Sequence, residues 1–202
     1  MYEKEGALIP AVEVRPLEPG DFPALELLFG ERGACGGCWC MAWRLPQKAW
    51  EQGRGGMNRR ALRKLVLEGT ASGVLAFSGE QAVGWCSVGP RADFVGLESK
   101  RSLATDWDAK TWSVTCFFMH KEWRGKGLGP RLLRAAVELA KRRGATRIEG
   151  YPAAPPKAGG NLPPAFAWTG LPTMFERCGF ERLEKTAGKH PIYVKRLRPS
   201  ER

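Results

Sequence analysis

Residues 112–144 read W-S-V-T-C-F-F-M-H-K-E-W-R-G-K-G-L-G-P-R-L-L-R-A-A-V-E-L-A-K-R-R-G. Trp112 to Met119 form a near-continuous apolar and β-branched run, too short for a core helix and suited to a strand buried on both faces. From Pro130 the pattern changes to that of an amphipathic helix. Pro130 suits its first position, Leu132, Leu133, Ala136, Val137 and Ala140 share one face, and Lys141-Arg142-Arg143-Gly144 mark its end. Between strand and helix lies Arg124-Gly125-Lys126-Gly127-Leu128-Gly129, whose alternating glycines let the backbone turn and its N–H groups converge. They converge at a helix N-terminus, where unpaired N–H groups and the positive end of the dipole favour phosphate. Arg124, Lys126 and Arg131 add full charges around that point. The stretch therefore predicts a pyrophosphate cradle.

Spacing decides which cradle it is. A P-loop requires G-x-x-x-x-G-K-[ST], a string the chain lacks. A dinucleotide fingerprint requires G-x-G-x-x-G, but counting from Gly125 or Gly127 the last position falls on Pro130 or Leu132. What remains, R-G-K-G-L-G, resembles the Arg/Gln-x-x-Gly-x-Gly/Ala loop of the GNAT superfamily of N-acetyltransferases, matched at Arg124, Gly127 and Gly129. A second resemblance lies in Phe175-Glu-Arg-Cys-Gly-Phe180, similar to the superfamily's Tyr-x-x-x-Gly-Phe helix end. The resemblance implies an α/β fold of the mixed α+β type: a central twisted mixed sheet with helices on both faces, its two central parallel strands splayed at the cofactor site. It implies acetyl-CoA as cosubstrate, with the pyrophosphate on residues 124–129 and Arg131, and the pantetheine and thioester on backbone groups of Phe117, Phe118 and Met119. The segment Cys38-Trp39-Cys40-Met41 further resembles a bacterial subgroup of the superfamily.

Length and charge set outer bounds. At 202 residues the chain is expected to form one acetyltransferase-like domain over residues 1–202, large enough to bury a core without metal or disulfide staples. No apolar run approaches a membrane span and the N-terminus lacks a signal-peptide pattern, so a cytoplasmic protein with reduced cysteines is expected. A net charge of +11 points to an anionic partner, which coenzyme A supplies. The excess at Arg54, Arg59, Arg60, Arg63 and Lys64 also leaves nucleic acid open, though a solvated basic surface is the plainer account.

Along the chain, Ala11–Pro16 alternates as a first strand, and Asp21 is a candidate N-cap for a short helix ending near Gly30. Cys35, Cys38 and Cys40 give C-x-x-C-x-C, close to metal spacing, but no fourth ligand follows and no metal is expected. Asn58 is a candidate cap for a helix with Ala61, Leu62, Leu65 and Val66 on its apolar face. Gly73–Ser78 and Gln81–Val88 read as a hairpin, and residues 89–110 as polar and irregular. Thr146–Tyr151 predicts a strand parallel to the central one. Residues 152–164 form a proline-rich excursion suited to a lid, and two strands near residues 181–186 and 191–197 close the sheet. The cofactor core thus spans about residues 111–180, and the acceptor groove is expected from residues 33–56, 89–110 and 152–170.

The catalytic residues are less legible. The superfamily's tyrosine, credited with protonating the departing thiolate, is replaced by Phe175, which has no proton to give; Cys178 or a water is the expected substitute. Strict alternation places Trp112, Val114, Cys116, Phe118 and His120 on one face of the strand and Ser113, Thr115, Phe117 and Met119 on the other. Ser113 falls where some relatives of the family carry a glutamate base, and could only relay a proton. Asp106, Asp108, Glu149 and His120 are alternatives for the base. Three functions follow: acetyl-CoA-dependent N-acetylation of a primary amine on a small molecule or protein by direct attack, a non-catalytic acyl-CoA-binding or regulatory module, and a zinc- and nucleic-acid-binding protein. A homodimer is expected from the family alone.

Overall fold

A computed structural model describes residues 11–153, 167–184 and 191–198. Seven strands form one sheet in the order β1-β2-β3-β4-β5-β7-β6. They are β1 (Glu13–Pro16), β2 (Gly73–Ser78), β3 (Gln81–Pro90), β4 (Thr111–Met119), β5 (Arg147–Gly150), β6 (Glu181–Arg182) and β7 (Tyr193–Arg196). All neighbours run antiparallel except β4 and β5, which are parallel. Their crossover is α5 (Leu128–Arg142). Its apolar stripe, including Leu132, Leu133 and Ala136, packs on one sheet face with Val74, Val83, Val114 and Ile148. On the opposite face lie α1 (Phe22–Phe29) and α3 (Gly56–Leu67), burying Leu25, Phe29, Leu62 and Val66 against Leu75 and Trp85. A third cluster, around Phe94, Leu97 and Tyr151, includes the short α4 (Val95–Glu98). Each buried Leu, Val, Ile or Phe side chain among these removes enough apolar area to favour the fold by about 1.5–3 kcal/mol.

Local readings needed three corrections. Asp21 occupies the N-cap position of α1 but makes no side-chain capping bond, because its carboxylate is held by Arg15 at 2.7 Å and by the Glu18 N–H at 2.8 Å. Asn58 does not cap α3, which starts at Gly56. Its buried amide instead donates to the carbonyls of Gly37 and Trp50, at 3.3 and 3.1 Å, tying the cysteine-rich segment to the short α2 (Gln47–Gln52). Pro130 is the third residue of α5, tolerated there because first-turn N–H groups have no intrahelical acceptor.

The largest departure from simple alternation is in β4. Ser87 pairs with Cys116 but Val88 pairs with Val114, so Thr115 is an extra residue. This bulge reverses the faces beyond it. Trp112, Val114, Phe117 and Met119 therefore pack on the α5 side, whereas Cys116 and Phe118 pack on the α1 side. Of the remaining predicted segments, residues 154–164 of the excursion lie outside the described residues, as do residues 185–186 of the first closing strand.

Candidate functional site

The parallel pairing of β4 and β5 runs from Thr111↔Arg147 to Val114↔Gly150 and stops there, although β4 continues to Met119. A gap opens beside the last part of β4. His120 donates its N–H to the Val83 carbonyl at 3.0 Å, and Phe118 lies opposite Trp85. By the alternation of antiparallel pairs, the peptide groups of Phe118 face β3, and those of Phe117 and Met119 face the gap. The Phe117 N–H is met there by the carbonyl of Trp168 at 2.6 Å. Of the three strand residues singled out, Met119 thus keeps a backbone donor turned to the gap.

At the mouth of this gap the chain turns through Gly125 and Gly127 with φ of 74° and 75°, in the left-handed region that side chains with a Cβ disfavour. Open space lies in front of both. Gly127 precedes α5, and no acceptor among the described residues meets the N–H groups of Gly125, Lys126 and Gly127. Leu128 points its side chain into the core beneath Gly84, leaving its backbone to the loop. Arg124 folds back so that Nε donates to the Met119 carbonyl at 3.2 Å, which holds its charge where strand, gap and loop meet. Lys126 lies over the Trp123 ring, 5.7 Å from its centroid. The Arg131 guanidinium donates to the Val12 carbonyl beside β1.

Ser113 is fully buried, and its hydroxyl donates to Tyr151 Oη at 2.9 Å. Tyr151 in turn donates to Glu149 Oε2 at 2.8 Å and accepts from Arg91 Nη1 at 2.8 Å. Glu149 has no solvent exposure and is further held by Thr105 at 2.9 Å and by Arg147 at 2.6 Å. Burial, with the neighbouring Glu149 charge second, pushes the Tyr151 phenol far up, so it stays protonated. Asp108, by contrast, closes a turn by accepting from Thr111 at 2.9 Å, while Asp106 is exposed. His120 is half-buried at the strand end, 4.0 Å from Glu122. Arg91 and Tyr151 were invisible as site residues in the sequence, since Arg91 falls in a polar stretch and Tyr151 in a predicted strand.

Phe175, on α6 (Pro172–Arg177), has zero exposure and packs edge-on to Phe117 and Phe180. Cys178 follows α6, with its thiol directed to the Pro130 carbonyl at 3.8 Å and its pKa raised by burial. Trp39 is a core residue, whereas Trp43 and Trp168 face each other with ring centroids 6.0 Å apart.

A family model described as Acetyltransferase (GNAT) family matches residues 39–154, more than half of the chain. The chain belongs to the GNAT acetyltransferase family. Its fold is similar to that of PaiA N-acetyltransferase from Thermoplasma acidophilum, solved with coenzyme A: TM-score 0.55, 16% identity, 93% of this chain and 99% of that one covered. YncA from Salmonella typhimurium, solved with its cofactor acetyl-CoA, gives TM-score 0.53 at 14% identity over 93% and 95% of the two chains. YhbS from Escherichia coli, a GNAT family N-acetyltransferase in complex with CoA, gives 0.52 at 15% identity over 95% and 84%. At such identities the likeness is one of fold. No curated protein matches the chain. Within this GNAT fold, the described residues include no group of three or more His, Cys, Asp or Glu side chains arranged to hold a metal ion. They also include no helix long and apolar enough to cross a membrane.

Proposed function

We propose that this GNAT protein transfers the acetyl group of acetyl-CoA to a primary amine by direct attack in a ternary complex. The observation that carries this reading is the open glycine turn before α5, with N–H groups that meet no acceptor among the described residues, beside a gap between parallel strands. The bound ligands of PaiA, YncA and YhbS, each CoA or acetyl-CoA, support it. The N–H groups of residues 125–129, with Arg124 and Lys126, hold the pyrophosphate, and Met119 and Phe117 present backbone groups to the pantetheine arm and thioester carbonyl. Arg131 is left out of the cradle because Val12 engages it.

In this reaction the amine nitrogen forms a bond to the carbonyl carbon, the carbon–sulfur bond breaks, the ammonium proton leaves, and the thiolate takes one up. Proximity in the ternary complex and a backbone donor at the developing oxyanion supply most of the acceleration. Ser113 leads through Tyr151 to Glu149, a hydrogen-bonded line along which the proton can leave the acceptor side. Cys178 carries the thiolate's proton in this scheme: burial keeps its thiol protonated, and rotation away from Pro130 frees it. The acceptor groove is formed by residues 33–56 and 89–110, with 167–170 bringing Trp168 against Trp43. One domain holds both substrates.

The test is release of free CoA from acetyl-CoA in the presence of a panel of small amines and lysine peptides. Amine-dependent release is expected, and Cys178→Ala should lower kcat about a hundredfold, the scale of a lost general acid. Unchanged turnover in that variant assigns the proton to water. The buried Phe175 favours one second reading, an acyl-CoA-binding module without turnover. That reading predicts binding of acetyl-CoA with no CoA release for any acceptor.

A further inference from the structure

Part of the chain itself lies in the gap between β4 and β5. The pairing of these strands ends at Val114↔Gly150, and continued in step it would bring Phe117 opposite Ala153. Residues 167–170 come between those two instead. The Phe117 N–H donates to the Trp168 carbonyl at 2.6 Å, and the Ala153 N–H donates to the Gly170 carbonyl at 2.9 Å. A bond from the Gly170 N–H to the Ala167 carbonyl, also 2.9 Å, closes the four residues into a turn. That turn is stitched to both of the parted strands.

Its seat is closely fitted. Gly170 is buried with φ of 87°, and a Cβ there would lie 2.7 Å from Met174 Cε, 2.8 Å from Phe175 Cε2 and 3.2 Å from Phe117 Cε2. Glycine alone combines that left-handed backbone with so near an approach to α6 and β4. Trp168 is half-buried, and its ring lies against Trp43 with centroids 6.0 Å apart. Phe117 is buried, so its N–H gives up the Trp168 carbonyl only to another acceptor.

We infer that residues 167–170 are an internal stand-in for the pantetheine arm, a strap that acetyl-CoA displaces to reach the Phe117 N–H. The inference rests on the acetyl-CoA reading above. Pantetheine carries peptide-like amides, so its carbonyls can replace those of Trp168 and Gly170 on the same two donors. The nucleotide and pyrophosphate sit at the turn before α5 and offer nothing to Phe117 or Ala153. A ligand shifts a two-state element only through a difference in affinity for its two states, and here that difference resides in the pantetheine arm. The strap therefore separates the intact cofactor, which opens the gap, from its nucleotide end, which leaves the gap closed. Displacement of the Trp168 carbonyl also draws the Trp168 ring away from Trp43, which links arrival of the acyl arm to the wall on the acceptor side.

The full-length protein, labelled with fluorotryptophan, is followed by fluorine NMR, with Trp168→Phe and Trp43→Phe assigning the two lines. It is titrated with acetyl-CoA and, separately, with phosphoadenosine diphosphate, which is coenzyme A without its pantetheine arm. Both ligands should saturate, and only acetyl-CoA should move the Trp168 line. In calorimetry, Trp168→Ala removes the ring's hold on Trp43 and keeps the backbone carbonyl. It should bind acetyl-CoA about three- to tenfold more tightly, because a larger share of the protein has the gap open, and bind the nucleotide as the wild type does. A Trp168 line that stays in place as acetyl-CoA binds, or that moves as far with the nucleotide alone, would overturn the strap and leave the cofactor reading standing. So would a Trp168→Ala protein that binds acetyl-CoA no more tightly than its parent. Failure of both ligands to bind would overturn the strap and the cofactor reading together.

Discussion

Asn58 shows how much one side chain can carry. It is 1% exposed and joins two backbone carbonyls from separate segments, Gly37 and Trp50. Asn58→Ala should cost about 2 kcal/mol in urea unfolding, because it leaves buried acceptors unmet. A cap residue facing solvent would cost less and shift α3 alone. The sequence suggested a cap because asparagine three residues from a glycine pair looks like a helix start; the long-range partners gave no local signal. Tyr193 offers a pH-dependent counterpart. Burial first, and then its 2.7 Å bond to Glu176, push the phenol up to about 12. The fold favours the neutral form, so this stabilisation is complete below the unfolded pKa near 10 and is lost as pH rises through about 12. In Tyr193→Phe, the decline of stability measured between those two pH values should be shallower than in the wild type.

At the scale of elements, strand β4 and helix α5 were readable because each has a strong local signature: a short β-branched apolar run and a stripe of period 3.6. The hairpin β2–β3 and the parallel β5 followed from turn residues and from the handedness of crossovers. The bulge at Thr115 was not readable, since its cause is the pairing of Ser87 with Cys116 and of Val88 with Val114 across the sheet. It decides that Phe117 faces α6 and that Cys116 packs on the α1 side of the sheet. The packing of α6 on β5 is equally non-local. A Cβ on Gly150 would lie 2.0 Å from Phe175 Cε1, so Gly150→Ala should destabilise the protein by about 1–3 kcal/mol through overpacking. Phe175→Leu in the same chain should recover part of that loss in urea melts, and simple additivity of the two changes would show that they do not press on each other.

Across the whole molecule, the sheet brings the glycine turn before α5, the gap and the buried Ser113–Tyr151–Glu149 line together at the point where β4 and β5 part. The turn before α5 was legible from six residues because its left-handed backbone at Gly125 and Gly127 is recorded in the glycine spacing. Charge in a sequence carries no direction, so the bond from Arg131 to the Val12 carbonyl beside β1 had no local signal. The stretches proposed for the acceptor groove were hardly legible, since they are turns and short helices tied to the rest of the fold by long-range bonds such as those from Asn58 to Gly37 and Trp50. The net charge of +11 predicts that coenzyme A affinity falls as ionic strength rises. The decisive measurement is calorimetric titration of the wild type with acetyl-CoA and with CoA, beside Gly127→Glu checked for folding by circular dichroism. Saturable binding in the wild type, weakened about a hundredfold or roughly 2.7 kcal/mol when a carboxylate occupies the cradle, is the predicted result. A wild type that takes up neither ligand at millimolar concentration, or a variant that binds as tightly as its parent, would contradict the assignment of the turn before α5 as the pyrophosphate site.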